Sequence, residues 1–221
     1  MERTPEPELM NDPAQAYAYA HADFASPPQL FVDSFQQKFP DLEINDAVLD
    51  LGCGPCDISR RFASAYTDCT IHAVDGAANM LLHAESLNKS SNLHQRIQLI
   101  NGTLPDTSLP QNFYQTIISN SLLHHLHNPF VLWQTVQQHA KPFATIFIMD
   151  LMRPDSLTTA RQLVEDNAAN EPPILQQDFY HSLLAAFTPE EVQSQLDDMG
   201  MSTLRIETIS DRHMLIYGSL G

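Results

Sequence analysis

From residue 46 onward the apolar positions of the chain alternate between two rhythms. Short aliphatic and β-branched runs read as strands: DAVLDLG (46–52), CTIHAVDG (69–76), RIQLING (96–102), YQTIISNS (114–121) and ATIFIMDL (144–151). Between them, apolar residues recur three or four apart in DISRRFASAY (57–66), AANMLLHAESLNK (77–89) and FVLWQTVQQHA (130–140), which predicts helices. Asp57 fits the N-cap of the first helix, with Ile58, Phe62 and Ala65 on one face. Strands spaced by helices predict an α/β protein with a mostly parallel, doubly wound sheet.

The flanks follow other patterns. Residues 1–13 form a loose polar arm, and residues 13–39 are helical with a break at Pro27-Pro28. The segment AQAYAYAHADF (14–24) lacks the charge of a fully solvated helix, so it covers something. Residues 152–187 are helical around a Pro172-Pro173 interruption and contain DFYHSLLAAF (178–187). TPEEVQSQLDDMG (188–200) is a well-signed helix, with Thr188 at the N-cap, Pro189 first, Glu191 three on and Gly200 at the end. TLRIETIS and HMLIYGS, separated by Asp211-Arg212, predict an antiparallel hairpin. The expected organisation is one domain over 1–221. It has an N-terminal arm and helical lid (1–44), a core (45–151), a helical cap insertion (152–187), and a last helix with the terminal hairpin (188–221).

Composition narrows the partners. The chain has 221 residues, 43% of them hydrophobic, enough for one domain with a substantial core. No apolar run reaches the roughly 18–20 residues of a membrane span, and MERTPEPELMNDP lacks the pattern of a signal peptide, so a cytoplasmic protein without a membrane partner is expected. With 11 Lys and Arg against 27 Asp and Glu, the formal charge is −16, which disfavours nucleic acid as partner. Three cysteines do not make a secreted disulfide scaffold.

The stretch VLDLGCGPCD (48–57) carries the chemistry and two readings. Cys53-Gly-Pro-Cys56 at a helix start is a dithiol arrangement, and the helix end would lower a thiol pKa. Asp50-x-Gly52-x-Gly54 is a ligand loop at the end of the first strand, where open α/β sheets bind ligands. Asp57 at the helix start would repel a pyrophosphate, so the loop is poorly built for a dinucleotide. Asp50 favours a cationic ligand without phosphate, and Asp75, ending the second strand, is placed to accept from two ribose hydroxyls. S-adenosylmethionine, with its ammonium and sulfonium, meets both conditions.

VLDLGCGP (48–55), VDGAANML (74–81), NGTLPD (101–106) and YQTIISNSLLHHL (114–126) together resemble the class I S-adenosylmethionine-dependent methyltransferases, over roughly residues 45–151 and less specifically to the C-terminus. The resemblance implies a Rossmann-like methyltransferase fold, with a seven-stranded sheet whose last strand is antiparallel. It also implies methyl transfer, with S-adenosylhomocysteine as product. Gly52, Cys53 and Gly54 would face the methionine part of the cofactor, and Asp50 would hold its ammonium. Asp75 with Gly76 would bind the ribose, and Met80 would pack on the adenine. Gly102, Thr103 and Leu104 would line the adenine edge, and Asn120 and Ser121 would border the methyl. The chain departs from the family at three positions: Cys56 replaces a glycine, Ala77 a serine and Thr103 an acid.

Other residues are candidates on chemistry. His125 follows the fourth strand as a candidate general base, with His124 beside the substrate. His124, His125 and His127 have no cysteine or carboxylate at ligand spacing, so no metal site is expected. Tyr19 and Tyr17 are candidates for a lid over the cofactor, with core packing as the competing role. Tyr180 and His181 are candidate substrate contacts, with helix packing as the alternative. Arg153, Arg212 and His213 point to an anionic group on a small-molecule acceptor, with surface arginines as the alternative. A non-catalytic adenosyl-binding partner or regulatory subunit, and a dithiol oxidoreductase, are the competing functions.

Overall fold

The computed structural model describes all residues except 8 and 23–25, and the side chains of 26 and 27 are likewise not described. Asp23 and Phe24, the end of the predicted covering segment, lie outside the described residues. In chain order the elements are α1 (Pro13–His21), α2 (Ser26–Lys38), β1 (Ala47–Leu51), α3 (Asp57–Ala65), β2 (Thr70–Asp75), α4 (Ala78–Ser90), β3 (Ile97–Asn101) and β4 (Tyr114–Asn120). A 3₁₀ turn (Leu123–His125) follows, then α5 (Phe130–His139), β5 (Ala140–Leu151), α6 (Leu157–Ala168), α7 (Pro173–Ala185), α8 (Pro189–Asp198), β6 (Arg205–Thr208) and β7 (His213–Ser219). The seven strands form one sheet in the order β3-β2-β1-β4-β5-β7-β6. β7 runs antiparallel to both β5 and β6, and the other pairs are parallel. The expected doubly wound sheet with a terminal antiparallel hairpin is therefore present. Among the described residues no helix is long and apolar enough to cross a membrane.

Alternation along the strands builds two apolar layers. Leu49 and Leu51 of β1 and Ile146 and Ile148 of β5 face one layer with Trp133, Val136 and Leu196. Val48, Phe147 and Met149 face the other with Phe31, Phe35 and Phe62. Trp133 Nε1 donates to Gln195 Oε1 at 2.9 Å, joining α5 to α8 with its polar atom satisfied. α8 has the full capping box, with Thr188 and Glu191 each accepting from the other's backbone amide.

Several boundaries differ from the sequence expectation. Cys56, not Asp57, is the N-cap of α3; it takes a left-handed conformation (φ 63°), and Asp57 is the first helical residue, paired with Arg60 and Arg61. Pro27 and Pro28 belong to the first turn of α2, where a missing amide costs nothing, so they begin a helix instead of breaking one. β5 starts at Ala140, four residues early, because Ala140 pairs with Tyr114 before the register shifts. Phe143 in that shift has φ 61° and is exposed.

The arm is not loose. Arg3 donates from Nε to the Ala185 carbonyl (2.5 Å) and from Nη2 to the His124 and Leu126 carbonyls (2.9 Å each), with its guanidinium 4.0 Å over the Phe187 ring. Asn11 then accepts from the Asn79 amide and receives the Asn79 side chain on its own carbonyl. Residues of polar type thus bind backbone groups of distant elements, which a local pattern does not reveal.

Candidate active site

The carboxyl ends of β1, β2, β3 and β4 converge where the strand order reverses, and a cavity of about 560 Å³ lies there, in the volume range of ligand pockets. Its floor is the glycine turn. Gly52 (φ 72°), Gly54 (φ 51°) and Cys56 (φ 63°) are all left-handed, which turns the chain sharply from β1 into α3. The Gly52 and Cys53 amides both donate to the Val74 carbonyl, at 2.9 and 3.0 Å, fastening the turn to β2.

Two carboxylates serve the turn. Asp50 lies buried beneath it and accepts from the Ser59 hydroxyl. Burial pushes its carboxyl up to about 7, against the Ser59 bond and with help from the Asp75 charge. Asp75 accepts from the Gly54 amide on Oδ2 and from the Ala77 amide on Oδ1, each at 2.7 Å. Burial raises its pKa, and the two amide bonds oppose the rise.

Every residue assigned to the cofactor by resemblance lines this cavity. Gly76, Met80, Gly102, Thr103 and Leu104 continue the wall past Asp75. A Cβ on Gly76 would come within 2.6 Å of Leu9 Cδ2 and 2.9 Å of Thr103 Cγ2, so a side chain there would displace these two methyl groups. Tyr19 packs with Met10 against Ala16, Ala77 and Met80. Burial, then the charges of Asp57, Asp75 and Asp150, pushes the Tyr19 hydroxyl up to about 12. Tyr17 is no lid: it is 58% exposed and stacks on His21 at 4.1 Å between centroids. At the end of β4, Asn120 Nδ2 donates to Ser121 Oγ at 3.2 Å, and Asn120 Oδ1 is buried without a partner among the described residues.

The other half of the cavity is lined by the 3₁₀ turn, the end of α6, one face of α7 and the hairpin. Leu175, Asp178, Phe179 and Ser182 of α7 face it, at helical spacing. Tyr180 and His181 fall on other faces of α7, outside the lining. Arg153 is also outside. Its Nη2 is 2.5 Å from Glu191 Oε1 and its Nη1 donates to the Ala186 carbonyl, so it braces the start of α8. Arg212 and His213 do reach the lining, but Arg212 is paired with Asp211 at 2.9 Å. The reading of an anionic acceptor thus loses Arg153, and this half instead presents Glu171 and Asp178, the latter with a buried Oδ2 that has no partner among the described residues.

The histidines divide their roles. His124 is buried with Nδ1 2.6 Å from Asp150 Oδ1. Burial disfavours its charge, but the Asp150 carboxylate outweighs this and the pKa rises. Asp150 in turn accepts from the Leu123 and Leu151 amides, and its pKa falls against the pull of burial because His124 and those amides stabilise the anion. His125 lines the cavity; burial and the neighbouring His124 push it down to about 3, so its ring is neutral. His213 is pushed down to about 4 by burial and Arg212. Sequence reasoning missed Asp150, although a carboxylate ending a buried strand is a signal. It also missed Glu6, whose Oε1 stands 3.2 Å from His125 Nδ1 and 3.7 Å from His124 Nε2. The expectation that no carboxylate joins these histidines fails because the arm carries one in from the start of the chain.

The dithiol arrangement is also changed by the fold. All three cysteines are free and buried. Burial pushes the Cys53 thiol well above its ordinary value, opposite to the lowering that a reactive dithiol needs.

Comparison with known proteins agrees with this geometry. Residues 48–143 match the family model of a methyltransferase domain. The chain is similar to an S-adenosylmethionine-dependent methyltransferase from Aquifex aeolicus (19% identity, TM-score 0.67), covering 95% of this chain and 99% of that one. It is also similar to a phosphoethanolamine N-methyltransferase from Haemonchus contortus in complex with phosphomonomethylethanolamine and S-adenosylhomocysteine (12%, TM-score 0.69, 94% and 57%). A third similar structure is the plantazolicin methyltransferase in complex with S-adenosylhomocysteine and a desmethyl substrate analogue (14%, TM-score 0.66, 94% and 92%). Residues 48–143 thus match a methyltransferase domain, and the chain has the fold of solved S-adenosylmethionine-dependent methyltransferases.

Proposed function

We propose that this chain transfers a methyl group from S-adenosylmethionine to a small-molecule acceptor. The observation that carries this is the pair of acids at the glycine turn: Asp75, tied to the Gly54 amide, and Asp50 buried below it. Both suit a cofactor with hydroxyls and positive charge and without phosphate. Asn120 Oδ1, without a partner among the described residues, and the open space beside Gly54 fit it as well. When bound, S-adenosylmethionine supplies a sulfonium methyl open to in-line displacement by an oxygen, nitrogen, sulfur or carbon nucleophile.

The chain's own residues do the rest. Asp75 holds the ribose, Asp50 the ammonium, and Met80 and Leu104 give an apolar surface to the adenine. Tyr19, the arm and α7 close the cavity and exclude water, so most of the rate comes from alignment. His125 lines the acceptor end as a neutral imidazole, the candidate base for a protic acceptor when no other group takes its proton. The acids Glu171 and Asp178 favour a neutral or cationic acceptor over an anionic one. The cavity volume supports a modest acceptor or the end of a longer one, such as a modified peptide.

Calorimetric titration with S-adenosylmethionine and S-adenosylhomocysteine, with Asp75→Ala as control, tests the reading. Micromolar binding lost in the control supports it. No heat and no thermal shift with either ligand would refute it. Release of S-adenosylhomocysteine across an acceptor panel then identifies the acceptor class.

A further inference from the structure

The arm and the 3₁₀ turn bring three donors of one type of site together. Glu6 Oε1, His124 Nε2 and His125 Nδ1 all lie within 4.8 Å of one another. Ligand atoms at about 2.0–2.2 Å around a shared divalent ion stand roughly 3–3.5 Å apart. The 3.2 and 3.7 Å separations from Glu6 Oε1 already approach that spacing.

The surroundings are those of a ligand set. His124 Nδ1 is held by Asp150, whose remaining bonds come from the Leu123 and Leu151 amides. A carboxylate on one imidazole nitrogen fixes the ring and turns the other nitrogen toward an ion. Among the described residues His125 Nδ1 is buried with no hydrogen-bond partner. Its contact with Glu6 is close but off the angle of a hydrogen bond, and the Pro7 backbone carbonyl is the ring's acceptor. Nδ1 is therefore the lone-pair nitrogen, facing a carboxylate across a gap that a cation would fill. The same oxygen, Glu6 Oε1, accepts from Ser182 Oγ at 3.0 Å, which holds it in place toward the two histidines.

We propose that Glu6, His124 and His125 bind one divalent first-row transition-metal ion at the acceptor end of the cavity. Two imidazoles and one carboxylate suit zinc, cobalt or iron(II), and leave coordination positions open. His124 and His125 both line the cavity, so the open positions are reachable from it. Resting on the methyl-transfer reading, the ion would bind the acceptor through an oxygen or sulfur and lower its pKa. The acceptor proton then leaves to solvent on binding, and His125 serves as a ligand in place of a base.

The test is titration of the chelator-treated full chain with Co²⁺, read by visible d–d absorption and calorimetry. One equivalent per chain is expected, with binding weakened by at least about 100-fold in Glu6→Gln and in His125→Ala, since removing even an outer partner of a ligand costs 10–100-fold. S-adenosylhomocysteine titration of the same samples shows that each variant is folded, and that arm reports on the cofactor reading separately. No stoichiometric Co²⁺ binding overturns the site. So does binding that both variants leave unchanged, or near-ultraviolet thiolate-to-cobalt absorption that disappears in Cys53→Ser.

Discussion

Asp75, at the end of β2, accepts the Gly54 amide at 2.7 Å and so ties the end of that strand to the shape of the glycine turn. One carboxylate therefore has two effects. Asp75→Ala removes a ligand acceptor and releases the turn. Asp75→Asn keeps an oxygen for one partner. A bond to a charged acceptor contributes about 1.5–3 kcal/mol, or roughly 10–150-fold in affinity. S-adenosylhomocysteine affinity should fall by roughly 100-fold or more in the alanine variant and by less in the asparagine variant. Equal losses in calorimetry would mean that the turn does not depend on this bond.

Asp50 gives the pH dependence. Its folded pKa of about 7 is above the ordinary 3.8, the reverse of the usual carboxylate case. Below pH 4 both states are protonated, and between about 4 and 7 the folded state holds the extra proton. The Asp50 contribution to the stability of the ligand-free chain therefore falls as pH rises through this window, by at most about 4 kcal/mol, while His125 and His213, both lowered by burial, contribute in the opposite direction, so the Asp50→Asn difference isolates it. Asp50→Asn should raise the melting temperature at pH 8 and change it little at pH 4. Cofactor affinity should move the other way in the parent, rising with pH through 7, because the ammonium needs the anion. Flat affinity between pH 6 and 8 would remove Asp50 from the ammonium site.

These sites differ in how far the sequence discloses them. β1 to β4 and α3 to α5 are legible because buried strands and one-sided helices have distinct periods, and Asp50, Gly52 and Asp75 stand at the ends of those strands. The start of β5 is not, because Lys141-Pro142 reads as a break while a register shift carries the strand through it. Arg153 reads as a free cation because its partner Glu191 is also the capping acid of α8, three helices further on. Tyr180 and Ser182 have equal local claims on the cavity, and only the docking of α7 chooses Ser182. Glu6 carries no signal at all, since its meaning lies entirely in contacts with a turn near the middle of the chain.

Gly52 and Gly54 should separate stability from binding. A Cβ on Gly52 would sit 2.8 Å from Leu122 Cβ, and φ is 72°, so Gly52→Ala meets both a clash and strain. A Cβ on Gly54 meets nothing within 4 Å, and only its φ of 51° opposes it. The left-handed conformation costs roughly 1–2 kcal/mol for a side chain, and overpacking typically adds 1–3. Gly52→Ala should lose about 2–5 kcal/mol in denaturant melts. Gly54→Ala should lose no more than about 2 kcal/mol, yet bind S-adenosylhomocysteine at least tenfold more weakly, because the methyl enters ligand space. Comparable melts for the two variants would mean that Leu122 gives way.

Arg3 is the anchor of the arm. Its three bonds to the Ala185, His124 and Leu126 carbonyls and its seat on Phe187 join the start of the chain to α7 and the 3₁₀ turn. Lysine cannot reproduce this, because an ammonium lacks the planar fork that reaches several acceptors at once. Arg3→Lys and Arg3→Ala should both free the arm, with the alanine variant losing roughly 2 kcal/mol from unmade bonds, or about 4–8 °C in a chain of this size. The Thr4 amide, which donates to the Leu184 carbonyl at 2.9 Å, is the local reporter. Its hydrogen exchange should speed up at least tenfold in both variants, while amides in β4 stay protected. Because Glu6 is three residues on from Arg3, the same variants should weaken any contact of Glu6 with His125. Thr4 exchange at the parent rate in both would show that Glu6, with its Ser182 bond, holds the arm without Arg3.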